Sequence, residues 1–201
     1  MQQKGFIFIP DISGFTKFVN SVELDHSRHV IKELLETIID ANDMDLKISE
    51  IEGDAILFYQ LGEIPDLEVV YAQVERMFLS FHKHLLIYER DRKCYCNACI
   101  SAINLSLKII SHYGEFTEYN IGDFKKLIGK DVIIAHQLLK NDIINHEYWL
   151  LSSSLSEKLP QIFKPWMQWE LGSKKVDQHE VVFHFTQLSQ LKKERVKVEN
   201  N

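Results

Sequence analysis

The sequence predicts an α+β fold: a mostly antiparallel sheet with helices packed on one face. Three observations lead there. Short strand-like apolar runs alternate with stretches of helical periodicity along the whole chain. The segment EIEGD, residues 50–54, lies between two such runs and reads as a hairpin turning at Gly53. No Gly/Ser-rich or Pro-rich linker divides the 201 residues, so residues 1–190 read as one domain.

Taken in order, Gly5–Pro10 is β-rich and short enough for a buried strand, closed by Asp11. Arg28–Ala41 carries Val30, Ile31, Leu34, Leu35, Ile38 and Ile39 at helical spacing. Leu46–Ser49 and Ala55–Gln60 are the arms of the hairpin. Asp66–Tyr88 reads as one long amphipathic helix through Val69, Val70, Val74, Met77, Phe78, Phe81 and Leu85. Leu105–Ser111 alternates as a strand, and HYGEF reads as a glycine turn into a further polar strand. Gly129–Leu139 returns to helical spacing, and Tyr148–Leu151, Trp169–Leu171 and Val181–Phe185 supply the last strands. Residues 191–201 are highly charged and are expected to form a disordered tail.

Composition removes several function classes. The net charge is −6 and no basic stripe is visible, so no nucleic-acid partner is expected, because nonspecific affinity for phosphate backbones rests on clustered Lys and Arg. No apolar stretch approaches the ~20 residues needed to span a bilayer, and the amino terminus lacks a signal-like pattern. A cytoplasmic protein without a membrane partner is expected. Three cysteines crowded into Cys94–Cys99 cannot form a disulfide framework, which agrees with a reducing compartment. G-x-S-x-G, Walker A and G-x-G-x-x-G motifs are absent. His26, His29, His136, His146, His179 and His184 are scattered and read as surface or packing residues, and Trp166 with Trp169 as a core or dimer contact.

Two carboxylates stand out. Asp11 ends the first strand of FIFIPDISGFTKF, and Asp54 follows Gly53 in the hairpin. If their strands are neighbours, both reach one sheet edge, where paired carboxylates suit Mg²⁺ with substrate phosphates. Ile12 to Phe15 would start a helix whose free N–H groups favour an anion. The competing reading makes Asp11 a turn cap and Asp54 an ordinary hairpin residue. Glu50, Glu52 and Asp54 also repel one another unless a cation, a lysine or a raised pKa relieves them.

These segments resemble class III nucleotidyl cyclase catalytic domains. FIFIPDISGFTKF is similar to that family's opening strand and Asp-Ile-x-Gly-Phe-Thr turn, and EIEGDAILF to its Gly-Asp hairpin. ISHYGEF looks like its strand ending in His-x-Gly-Glu, LIGKDVIIAHQLLK like its Gly-Asp/Asn-x-Val segment and helix, and YWLLSSSLSEKL like its late strand and helix. The CYCNAC segment suggests an uncharacterised branch.

The resemblance implies a ferredoxin-like α+β fold acting as a homodimer, with a nucleoside triphosphate and two Mg²⁺ or Mn²⁺ ions bound between protomers. Asp11 and Asp54 would hold the metal, with the Ile12 carbonyl assisting, and Ser13, Gly14 and Phe15 would face the triphosphate. The base-selecting positions fall on Glu50 and Lys126, with charges exchanged relative to the adenine-selective pair. Glu50 matches guanine-selective members, but a lysine partner does not, and the two residues pairing with one another would close the base pocket. The transition-state Asn and Arg positions fall on Ile133 and Gln137, which supply neither a comparable hydrogen bond nor a charge; Lys130 or Lys140 would have to substitute. The expectation is therefore a cyclase-like domain that binds metal and nucleotide in a signalling or regulatory role with weak or no turnover. The alternative is an active adenylate or guanylate cyclase of atypical base selectivity.

The cysteine cluster, C-x-C-x-x-C, carries a separate possibility. Thiolates at this spacing can wrap Zn²⁺, but a closed site needs four ligands and Cys94, Cys96 and Cys99 are three. His82, His84 and His112 are the candidates for the fourth. The competing reading is three small thiols packed as apolar groups.

Overall fold

A computed structural model describes residues 3–20, 22–157, 159 and 164–192. The expected charged tail lies, from residue 193 onward, outside the described residues. The first strand, β1 (Gln3–Ser13), is apolar on both sides, and Phe6, Ile7, Phe8, Ile9 and Ile12 are almost fully enclosed. That continuous pattern belongs to a central strand covered on both faces. A short helix α1 (Phe15–Asn20), the helix α2 (Leu24–Asp40) and the hairpin β2 (Lys47–Glu52) and β3 (Ala55–Leu61) follow. The long helix α3 (Leu67–Asp91) is capped by Asp66, whose carboxylate accepts from the Glu68 N–H at 2.9 Å.

The second half contains α4 (Asn97–Ser101), a 3₁₀ turn, and the strands β4 (Ser106–Ile121) and β5 (Phe124–Ile128). It continues with α5 (Lys130–Leu138), β6 (Tyr148–Ser152), the single turn α6 (Ser153–Ser156), β7 (Glu170–Val176) and β8 (His179–Gln187). The sheet runs β2-β3-β1-β4-β6-β8-β7, with β5 paired to the outer half of β4. Every pairing is antiparallel except β4 with β6.

Alternation along β1 divides the interior. Phe6, Phe8 and Ile12 point to a core shared with Leu34 and Ile38 of α2 and Val74, Phe78 and Phe81 of α3. Ile7 and Ile9 point the other way, to a core shared with Val132, Ala135 and Leu138 of α5. Helices thus cover both faces, rather than the one face expected, because the two-sided apolar pattern of β1 requires a second cover. Trp166 and Trp169 belong to the α2/α3 side, where the Trp169 ring lies 5.5 Å from that of Trp149.

Two local expectations change. β1 continues through Ser13, and the helix begins at Phe15 after Gly14 (φ +90°), so Ile12 is strand, not helix start. HYGEF is not a turn: β4 passes straight through Gly114, and the chain reverses at Gly122 (φ +58°). Gly114 is needed for close approach instead, since a Cβ there would lie 2.1 Å from Cγ of Asp131.

Candidate functional site

Sheet register carries the two carboxylates together. Asp11 lies opposite Ala55 on one side of β1 and opposite Lys108 on the other. The Ile12 N–H donates to the Asp54 carbonyl at 2.9 Å, fastening the hairpin turn to the end of β1. Gly53 takes the left-handed conformation (φ +61°) that makes this tight turn possible. Asp11 and Asp54 therefore share one cavity of about 770 Å³.

Its walls come from several parts of the chain. Ile12, Ser13, Gly14 and Phe15 line it from the strand end, Glu50 and Glu52 from β2, Lys108 from β4, and His136 and Lys140 from α5 and just beyond. His146 closes the rim, and its carbonyl accepts from the Ser13 hydroxyl at 2.7 Å. Burial pushes Asp11 above the ordinary aspartate range even though the Lys108 ammonium sits 3.3 Å from it. Burial, reinforced by the Asp11 charge, raises Asp54 to about 6. A half-buried carboxylate raised by its neighbour's charge gains from an added cation. An all-oxygen donor pair of this kind fits a hard divalent cation such as Mg²⁺ or Mn²⁺.

Glu50 and Lys126 meet each other. The Lys126 ammonium donates to Glu50 Oε2 at 2.6 Å, and His136 Nε2 lies 3.2 Å from Oε1, so the glutamate is held from both sides. Ile133 and Gln137 lie on α5 away from the enclosed core; Ile133 is 56% exposed and Gln137 half-buried. Lys140 lines the cavity and Lys130 does not. Lys108, His136 and His146 were not among the residues expected at the site. The signal for Lys108 was its place in the alternating strand LSLKIIS, legible only once β4 is known to flank β1.

The cysteines also converge, with a different histidine from those expected. His26 Nδ1 lies 3.0 Å from Cys96 Sγ, 3.6 Å from Cys94 Sγ and 3.8 Å from Cys99 Sγ. The three expected candidates lie elsewhere: His84 is 3.4 Å from Glu33 and His82 3.5 Å from Glu147. His112 is buried between the Ser152 hydroxyl at 2.7 Å and the Asp131 carboxylate at 3.0 Å. That Ser-His-Asp alignment resembles a hydrolytic triad only in its contacts, since Ser152 is enclosed and no substrate reaches it.

With this geometry in place, the chain can be set beside known proteins. A family described as "Protein of unknown function (DUF2652)" matches residues 31–148, more than half of the chain. The chain belongs to the DUF2652 family. The DUF2652 protein is 31% identical over 129 residues to the uncharacterized protein Rv2561/Rv2562 of Mycobacterium tuberculosis, covering 64% of this chain and 60% of that one. It thus spans less than two thirds of that relative's length. In three dimensions it is similar to the adenylyl cyclase CyaB of P. aeruginosa (TM-score 0.63, 18% identity, 92% of this chain and 94% of that one). It is also similar to the guanylyl cyclase Cya2 (TM-score 0.62, 14% identity, 92% of each chain). A third likeness is to the guanylate cyclase domain of RhGC from Catenaria anguillulae, solved with GTP (TM-score 0.62, 13% identity, 92% and 97%). The fold is that of class III nucleotidyl cyclase domains.

Proposed function

We propose that this DUF2652 protein is a cyclase-like domain that binds a divalent metal and a nucleoside triphosphate at a homodimer interface, with weak or no cyclase turnover. The observation that carries the reading is the convergence of Asp11 and Asp54 in one cavity, with Asp54 raised to about 6. Asp11 and Asp54 would hold Mg²⁺ or Mn²⁺, with the Ile12 carbonyl assisting. The ion would lower the pKa of an attacking ribose hydroxyl and neutralise phosphate charge. Around it, Ser13, Gly14 and Phe15 face the triphosphate, while Lys108 and Lys140 offset its charge.

Low turnover follows from the outer face of α5. Ile133 can donate no hydrogen bond and Gln137 carries no charge, whereas a positioned arginine contributes about 10³–10⁵ in rate in other phosphoryl transfers. Base selection is weak for a related reason: Glu50 meets a base with its charge already offset by Lys126 and with His136 beside it. Dimerisation is supported by Ile121, Phe124, Ile128 and Ile133, which are all more than half exposed around the β4–β5 hairpin and α5.

The test is Mn²⁺ and nucleotide binding by calorimetry, together with a search for cyclic product from ATP and GTP. Binding that Asp11→Ala and Asp54→Ala each abolish, with little or no product, is the expected result. Unchanged affinity in both variants overturns the metal-nucleotide site. Cyclic product lost on Asp11→Ala establishes instead the active cyclase of atypical selectivity.

A further inference from the structure

We infer that His26, Cys94, Cys96 and Cys99 form a structural zinc site, separate from the Asp11/Asp54 cavity and independent of the function proposed for it. Each residue offers one ligand atom, and these four atoms all lie within 4.8 Å of one another. A tetrahedral Zn²⁺ with Zn–S of ~2.3 Å and Zn–N of ~2.0–2.1 Å places its ligands ~3.5–3.8 Å apart. The three nitrogen–sulfur distances, 3.0, 3.6 and 3.8 Å, span that value.

Hydrogen bonding alone does not account for the cluster. A neutral imidazole with its proton on Nδ1 has one hydrogen to give there, yet three sulfurs surround that nitrogen. Apolar packing does not account for it either. His26 is exposed and Cys94 and Cys96 are only partly buried, while Cys99 alone belongs to the enclosed interior. The ligands come from separate parts of the chain: His26 from the first turn of α2, the cysteines from the α3–β4 connection and the start of α4.

Hydrogen-bond donors reach two of the sulfurs. The Cys96 N–H donates to Cys94 Sγ at 3.4 Å. The Tyr88 hydroxyl lies 3.1 Å from Cys99 Sγ, placed to donate to it as an outer partner that orients a ligand. Three thiolates and a neutral imidazole around Zn²⁺ leave one net negative charge, which Arg92 faces from its contact with the Cys99 carbonyl at 3.4 Å. The soft sulfur-rich donor set selects zinc over Mg²⁺ or Ca²⁺. Four protein ligands fill the tetrahedral shell and leave no position for a substrate, so the role is structural. Binding displaces a proton from each thiol that is protonated beforehand.

The site acts as a clasp. α4 packs against α1 and α2, and α1 continues from the Gly14–Phe15 turn that lines the Asp11/Asp54 cavity. Zinc would tie the α3–β4 connection to α2 and brace that wall.

The test is metal analysis of the whole protein purified in reductant without a metal-affinity step, followed by Co²⁺ titration of the chelator-stripped protein. About one zinc per chain and a tetrahedral, thiolate-rich cobalt spectrum are expected. His26→Ala and Cys94→Ser should each weaken Co²⁺ binding more than about 100-fold, exceeding the effect of losing an outer partner, while His84→Ala should change nothing. Absence of zinc together with absence of a thiolate–cobalt spectrum in the wild-type chain overturns the inference without relying on any variant folding. So does a cobalt affinity that survives His26→Ala, or one lost in His84→Ala.

Discussion

Replacing Asp54 by Asn should make the metal-free protein more stable while removing its grip on divalent ions. In the folded chain the Asp54 carboxyl is raised from 3.8 to about 6, by burial first and the Asp11 charge second. For a fully enclosed group that displacement corresponds to about 3 kcal/mol against the charged form. Asp54 is half-buried, and solvent screening reduces the figure to about 1–2 kcal/mol. The sign follows from proton linkage: between pH 3.8 and about 6 the folded state holds more proton than the unfolded state, so stability falls as pH rises through that window. The penalty is fully present above about pH 6, and Asn escapes it. Thermal denaturation in chelator at about pH 7.5 should show the variant higher by roughly 2–8 °C for a chain of this size. The gain should shrink toward zero by about pH 3.5, where the wild-type carboxyl is protonated in the folded state. Saturating Mn²⁺ should reverse the order by stabilising only the wild type. A destabilised variant in chelator at neutral pH, or a gain that ignores pH, would refute the electrostatic argument.

Two further outcomes are expected. The double change Ile133→Asn with Gln137→Arg should raise cyclic-nucleotide formation by about 10- to 1,000-fold, read by product chromatography, because it adds a hydrogen-bonding group and a charge to an accessible helix face. Gly114→Ala should lower stability by about 1–3 kcal/mol in urea denaturation, since its Cβ would collide with the Asp131 side chain 2.1 Å away.

Elements with strong local signals were legible in the sequence. The buried face of α3 matches the helical spacing of Val70, Val74, Met77, Phe78, Phe81 and Leu85, and the Gly53-Asp54 turn falls where EIEGD placed it. What failed depended on contacts distant in sequence. Gly114 signals a turn by residue type, but it is a strand glycine because Asp131 lies against it. Periodicity identifies an apolar stripe and not the face of the sheet that receives it, so Gly129–Leu139 does not tell that α5 covers the face opposite α2 and α3. His26 resembled any exposed histidine, being 68 residues from Cys94. His82 and His84 were nearer in sequence to the cysteines, but their helix carries them toward Glu147 and Glu33. The cyclase-like pattern brings Glu50 and Lys126 together but leaves open whether they face a base or each other, and the 2.6 Å contact shows them facing each other.

The hydrogen bond from the Ile12 N–H to the Asp54 carbonyl has a consequence for how such a domain can change over time. It fixes the relative position of the main-chain segments that carry Asp11 and Asp54, inside the framework that holds the central strand to its hairpin. Exchange of either carboxylate leaves that bond in place, because neither side chain takes part in it. Ile133, by contrast, projects from the outer face of α5, where exchange of side chains carries little folding penalty. Backbone placement and side-chain chemistry are therefore under unequal constraint in one molecule. A lineage with this architecture can exchange side chains at a few accessible positions while the frame that brings residues 11 and 54 together persists.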